Sequence, residues 1–78
     1  MNAKDAIEII EKENLKHYRM FENIERENEV VIRRDDDKWI IYITDERAAI
    51  FSGTEKCFDN ESDALDYFIK KLRLMNRA

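Results

Sequence analysis

Seventy-eight residues, 44% of them apolar and 41% charged, exclude a disordered segment and fit one small domain, 1–78, with a thin stability margin. A net charge of −4 with no basic face argues against a nucleic-acid binder, and no apolar run is long enough for a membrane span. A single cysteine, Cys57, excludes an internal disulfide. The N-terminus lacks the uninterrupted apolar run of a signal peptide, so the expectation is a cytoplasmic protein. The acidic excess lies centrally: residues 29–59 carry eight acidic and five basic groups, whereas residues 60–78 carry three and four.

In chain order, Asn2 or Asp5 caps a helix predicted to run to about Lys16, with Ala3, Ile7, Ile10, Asn14 and Tyr18 on its apolar stripe and Ala6 widening it. The stretch 22–28 is polar and reads as a loop whose only apolar anchor is Ile24. A first strand is expected from Glu29 to Arg34, with Val30 and Ile32 on one face and Val31 and Arg33 on the other. Asp35, Asp36 and Asp37 form the turn, because short carboxylates bond to nearby backbone and tolerate unusual dihedrals. Lys38 to Thr44 is a second strand, apolar on both faces and therefore central. Asp45, Glu46 and Arg47 turn the chain into a third strand, Ala48 to Ser52. Gly53 breaks that strand, and Lys56-Cys57-Phe58 gives a fourth if the extended chain resumes there.

The clearest local signal is Asn60, an N-cap with Asp63 three residues on as its capping-box partner. The helix it opens buries Ala64, Leu65, Phe68, Leu72 and Met75, widened by Ile69. The fold class is therefore α+β, in the order α-β-β-β-α. An antiparallel meander of three strands, or four, has both terminal helices packed on one face, and Trp39, Ile41, Leu65, Phe68 and Leu72 lie in the core.

The residues themselves carry no catalytic or metal-binding constellation. His17 and Cys57, each the only one of its type, are far apart in sequence and lack an orienting third group, so neither is expected to be catalytic or to hold a metal. Asp35-Asp36-Asp37 lacks the spacing and distal Glu of a calcium loop; it reads as a solvated, edge-protecting turn or as a protein-binding patch. Two readings stand equal for Arg47: locking its own turn through an internal carboxylate bond, or clamping a partner. Trp39 and Tyr42 lie on opposite faces of the second strand, so one is core and the other, Tyr42, is offered as a partly exposed interface anchor. No cofactor is called for.

The stretch Trp39-Ile40-Ile41-Tyr42-Ile43-Thr44-Asp45-Glu46-Arg47, with Phe58-Asp59-Asn60-Glu61-Ser62-Asp63-Ala64-Leu65-Asp66-Tyr67-Phe68 after it, resembles small immunity proteins of bacterial polymorphic toxin systems, nearest the Imm59-like group. That group has an α+β fold and an acidic residue followed by Arg as its signature, which maps onto Glu46 and Arg47 with Asp45 beside them. Gly often follows the Arg in that group; Ala48 stands there here. The resemblance implies a non-enzymatic protein that binds and neutralises a cognate toxin, a basic nuclease being one candidate, by occlusion through an acidic surface. The residues that would carry binding are Asp35, Asp36, Asp37, Tyr42, Asp45, Glu46 and Arg47. The rival reading is a small homo-oligomeric structural or regulatory interaction module, such as a homodimer.

Overall fold

A reciprocal cap starts the first helix. Asn2 Oδ1 accepts the Asp5 N–H at 2.9 Å while the Asp5 carboxylate accepts the Asn2 N–H at 3.2 Å, satisfying two of the donors a helix start leaves open. The computed structural model describes residues 1–77, and in it this helix, α1, spans Ala3–Glu13. It stops earlier than periodicity suggests because Asn14 adopts a left-handed conformation (φ 54°, ψ 45°) and the Leu15 N–H turns back to the Ile10 carbonyl at 2.9 Å. Asparagine tolerates that geometry, and the closure tucks Leu15 beneath the helix end. Ala6 and Ile10 are buried whereas Ile7, placed on the stripe by spacing, is exposed. The inward face thus keeps Ala3, Ala6 and Ile10 and turns from Ile7 toward Ile9.

Four strands follow: β1 Tyr18–Met20, β2 Val30–Asp35, β3 Lys38–Ile43 and β4 Lys56–Phe58, in sheet order β1-β2-β3-β4. Glu61–Arg77 forms the closing helix, α2. The α+β class, a helix at each end and a sheet of four strands agree with the expectation from sequence. The sheet is mixed, however. β2, β3 and β4 make an antiparallel meander, but β1 runs parallel to β2, Tyr18 opposite Val30 and Met20 opposite Ile32. A three-residue strand of Tyr-Arg-Met carries no alternation from which to read it.

The expected strand over Ala48–Ser52 does not form. That segment touches the sheet through a single bridge, Thr44 to Ile50. Ala48 at φ 61° bends the chain, and Asp45 binds the backbone on both sides of that bend. Gly53 stands at φ 86° in the same connection, and Lys56–Phe58 takes the place beside β3.

α2 begins as the sequence indicates: Asn60 Oδ1 accepts the Asp63 N–H at 2.8 Å, and Asn60 Nδ2 donates to the Asp63 carboxylate at 2.9 Å. Its Ala64, Leu65, Phe68, Ile69 and Leu72 are all buried. They join Ala6, Ile10 and Leu15 against Val30, Ile32 and Ile41, the inward residues of β2 and β3, with Trp39 and Phe58 partly buried at the margin. Both helices therefore cover one face of the sheet. Two Arg73–Glu13 bonds, at 2.9 and 2.5 Å, tie the helices to each other. Among the described residues no helix is long and apolar enough to cross a membrane.

Candidate functional site

The other face of the sheet has no helix, yet Val31, Tyr42 and Thr44 on it are buried. Polar bonds from two loops account for this. The connection from Phe21 to Glu29 crosses from β1 to β2, as a parallel pair requires. On the way, Glu25 Oε1 accepts the Tyr42 hydroxyl at 2.8 Å and Arg33 NH2 at 2.7 Å. Thr44 Oγ1 donates to the Arg26 carbonyl at 2.6 Å and accepts the Glu29 N–H at 2.8 Å. Glu29 takes a two-pronged bond from Arg19, at 3.1 and 2.9 Å, and Glu22 accepts a third from the same guanidinium at 2.7 Å. These carboxylates hold the Arg19 guanidinium firmly protonated. Planar forks of this kind fix geometry as well as charge.

Tyr42 therefore departs from its expected role. It is only 4% exposed, and its hydroxyl is engaged by a loop that reads as solvated from sequence. Burial first, and the Glu25 carboxylate second, push its phenol up to about 12. Trp39, on the helix side, is partly buried, with the Arg34 guanidinium 5.0 Å from its ring centre. The two aromatics do lie on opposite faces, but the more accessible one is Trp39.

The second loop, residues 45–55, is organised by Asp45. Its Oδ1 accepts the N–H groups of Arg47 at 2.8 Å and Ala49 at 3.1 Å, and these backbone bonds hold its carboxyl below the usual carboxylate range. Its own carbonyl accepts the Asn28 N–H at 3.1 Å, joining the two loops. The turn is thus locked by a carboxylate on backbone amides rather than by an arginine fork. Glu46 and Arg47 are exposed, and among the described residues neither side chain forms an ion pair. Ala48 occupies the left-handed region, the conformation glycine adopts without strain, and it stands where the resemblance anticipates glycine. Glu46, Arg47 and Ala48 share a depression of about 540 Å³ with His17, Glu25, Arg26, Glu27 and Glu29.

Asp35, Asp36 and Asp37 lie elsewhere. They close the β2–β3 hairpin with Asp36 at φ 56°, and all three are exposed. Arg34 Nε donates to the Asp36 carbonyl at 3.1 Å, while Lys38 pairs with Asp59. The Asp45 turn is at the far end of β3, whose six residues extend about 20 Å. The seven candidate residues therefore form no single patch: one acidic group sits at each end of β3, with Tyr42 buried between them. His17, beside β1, and Cys57, on β4, lie at opposite edges of the sheet, three strand spacings of about 4.8 Å apart. That separation precludes direct contact.

Sequence reasoning missed the loop 21–29. A usable signal existed in Arg33, which alternates with Val31 on a face otherwise apolar. A cation there needs a carboxylate, and the polar stretch before the strand supplies Glu22, Glu25, Glu27 and Glu29. Together, residues 21–29 and 45–55 carry seven carboxylates and two arginines, more than the whole net charge of the chain. What the geometry can do chemically is present carboxylates, and short apolar side chains between them, on a backbone fixed by internal bonds.

The resemblance to small immunity proteins rests on Trp39 to Arg47, which ends in this acid-then-arginine turn, and on Phe58 to Phe68. A family model described as Immunity protein 59 matches residues 1–78, and the chain belongs to that family. No curated protein and no solved structure matches it.

Proposed function

We propose that this protein binds a cognate bacterial toxin in the cytoplasm and neutralises it by occlusion, without turnover. Membership of an immunity-protein family over the whole chain carries this reading. The charge distribution supports it: the two loops hold an excess of five negative charges, leaving the remainder at one net positive charge. A basic toxin, such as a nuclease, would be drawn to that surface, since like-signed loops steer an oppositely charged partner and raise its association rate. In this reading Asp35, Asp36 and Asp37 contribute long-range attraction, Glu46 and Arg47 make direct contacts, and Asp45 and Tyr42 keep the loops in shape for binding.

Co-expression with the toxin encoded beside it is the test. Wild-type protein is expected to restore growth, and Glu46→Lys combined with Arg47→Glu is expected to reduce protection while the protein stays folded by circular dichroism. Cell death in the presence of folded wild-type protein would sink the assignment.

A further inference from the structure

The β1 edge of the sheet is open over two residues. In the β1–β2 ladder the Val30 N–H donates to the His17 carbonyl and the Phe21 N–H to the Ile32 carbonyl, both at 2.9 Å. Parallel pairing engages every second residue of a strand, so residues 17, 19 and 21 face β2 while Tyr18 and Met20 turn their N–H and C=O outward. β1 ends the sheet, and no backbone bond reaches those four groups among the described residues. Each end of the stretch is stopped. The Asn76 side chain, from α2, accepts the Lys16 N–H at 2.8 Å and donates to the Lys16 carbonyl at 2.9 Å, standing where a further strand would pair. At the other end Phe21, at φ 57°, bends the chain out of the strand. β4, the opposite edge, carries Lys56 and lies between Glu55 and Asp59, charges of the kind that keep an edge apart.

One side of the open edge is apolar. Tyr18 is 40% exposed and Ile7 45%. With Leu15 and Met20 they line a hollow of about 640 Å³ along the strand, the rest of whose lining is polar and includes Lys16 and the Arg19, Glu22 and Glu29 group.

The sequence along this edge is complementary to itself. Read antiparallel about Arg19, Lys16 meets Glu22 of a second copy and Tyr18 meets its Met20, and the reverse pairs follow by symmetry. Tyr18 and Met20 then stand as hydrogen-bonded pairs, so the four outward groups of each copy are matched and none is left over. Cation faces carboxylate, and an aromatic ring faces a thioether. Lys16 forms no ion pair among the described residues. Glu22 already accepts Arg19, but Glu29 holds that guanidinium with two further bonds. Two carboxylates thus share one positive charge, and the exposed Glu22 keeps an attraction for a second cation. Arg19 falls opposite its own copy, the one like-charge contact, yet its side chain is drawn back to Glu29 at the start of β2, away from the edge. A register shifted by two residues would run into Asn76 or the bend at Phe21. In the unshifted one the second copy bends away at its own Phe21, so its backbone clears Asn76.

We infer that two copies of the chain pair antiparallel through β1, about a two-fold axis at Arg19, and join their four-stranded sheets into one continuous sheet. The axis stands perpendicular to the sheet, so both helix layers lie on one side and both sets of acidic loops on the other. This pairing is independent of the immunity reading.

Sedimentation equilibrium of the full chain over a range of concentrations tests it, with circular dichroism on every variant. Wild type is expected to associate to a dimer. Met20→Pro removes an outward donor and no β1–β2 bond, and is expected to weaken association about tenfold. Lys16→Glu and Glu22→Lys each set like charges across the axis and are expected to weaken it about fivefold at low salt. An equimolar mixture of those two variants brings lysine back opposite glutamate and is expected to recover wild-type association as a heterodimer.

Wild type that stays monomeric at millimolar concentration overturns the inference; if Met20→Pro then also loses protection against the toxin, the edge belongs to the toxin instead. A dimer whose charge variants associate within about twofold of wild type, or are not rescued by mixing, is held together elsewhere and overturns it likewise. Should Met20→Pro unfold, the charge variants and their mixture decide. The immunity reading stands or falls separately, on co-expression.

Discussion

The two faces of this sheet are covered by different physics. On one, Phe68, Leu65, Ile69 and Leu72 of α2 and Ile10 of α1 bury Val30, Ile32 and Ile41 with hardly a polar atom between them. On the other, Val31 and Tyr42 are kept from water by two loops held down with carboxylates, a threonine hydroxyl and backbone amides. Non-directional burial suits the face that must hold the fold together. Directional bonds hold the loops of the other face in one shape while leaving their outer side chains exposed. In a chain of 78 residues both tasks fit only because a single sheet serves as floor for each.

The largest expected effect comes from cutting into the apolar side. Phe68→Ala removes a fully buried ring and is expected to cost about 3–5 kcal/mol in urea unfolding, a large part of the 5–15 kcal/mol typical of a folded domain, roughly speaking. Ile50→Ala, on the loop side, should change stability by no more than about 0.5 kcal/mol. Equal losses for the two would show that both faces are held in the same manner.

Tyr42→Phe probes the polar side. It keeps the ring but removes the donor to Glu25, and a loss of about 1 kcal/mol is expected. Because the folded-state phenol is raised to about 12, its contribution is complete below the ordinary value of about 10 and disappears as pH rises through the folded value. Ultraviolet titration should accordingly lose its highest phenol ionisation in the variant. Loss of a phenol ionisation at the ordinary value instead would show that the Tyr42–Glu25 bond does not hold in solution.

The smallest effect belongs to Asp45, a half-buried carboxylate whose folded-state value lies below normal because it accepts the Ala49 and Arg47 amides. Its stabilisation is present above the ordinary aspartate value of about 3.9 and is lost as pH falls through the lower folded value. The gap in urea midpoint between wild type and Asp45→Asn should therefore be steady near neutrality and close in acid. A gap independent of pH would mean that charge plays no part in the lock.

The same division explains what was legible beforehand. The α2 stripe and the Asn60 cap announce themselves because periodicity and capping are local properties of neighbouring residues. So does the β2–β3 hairpin around Asp36. The Asp-Glu-Arg turn was also visible, although the residue that locks it is Asp45 and not Arg47. β1 escaped because three residues form it and its partner strand begins ten residues later, at Val30. Ala48–Ser52 read as a strand because Ala, Ile and Phe look extended until the positive φ of Ala48 is known. The Glu25, Arg33 and Tyr42 cluster was invisible for a related reason: its members meet only after the 21–29 connection has crossed the sheet.

Six residues other than glycine stand at positive φ: Asn14, His17, Phe21, Asn28, Asp36 and Ala48. Three of them frame the loops on the helix-free face, with Phe21 and Asn28 near the ends of one and Ala48 inside the other. Valine, isoleucine and threonine are all but barred from that conformation, and most other side chains enter it at a cost of about 1–2 kcal/mol. Drift in these loops is therefore channelled. Under the proposed immunity reading, Ile24, Glu27, Glu46 and Phe51 can change to meet a new toxin while positions 21, 28 and 48 keep the frame on which those changes are displayed. A lineage matching itself to successive toxins would vary at the first set of positions and stay nearly still at the second.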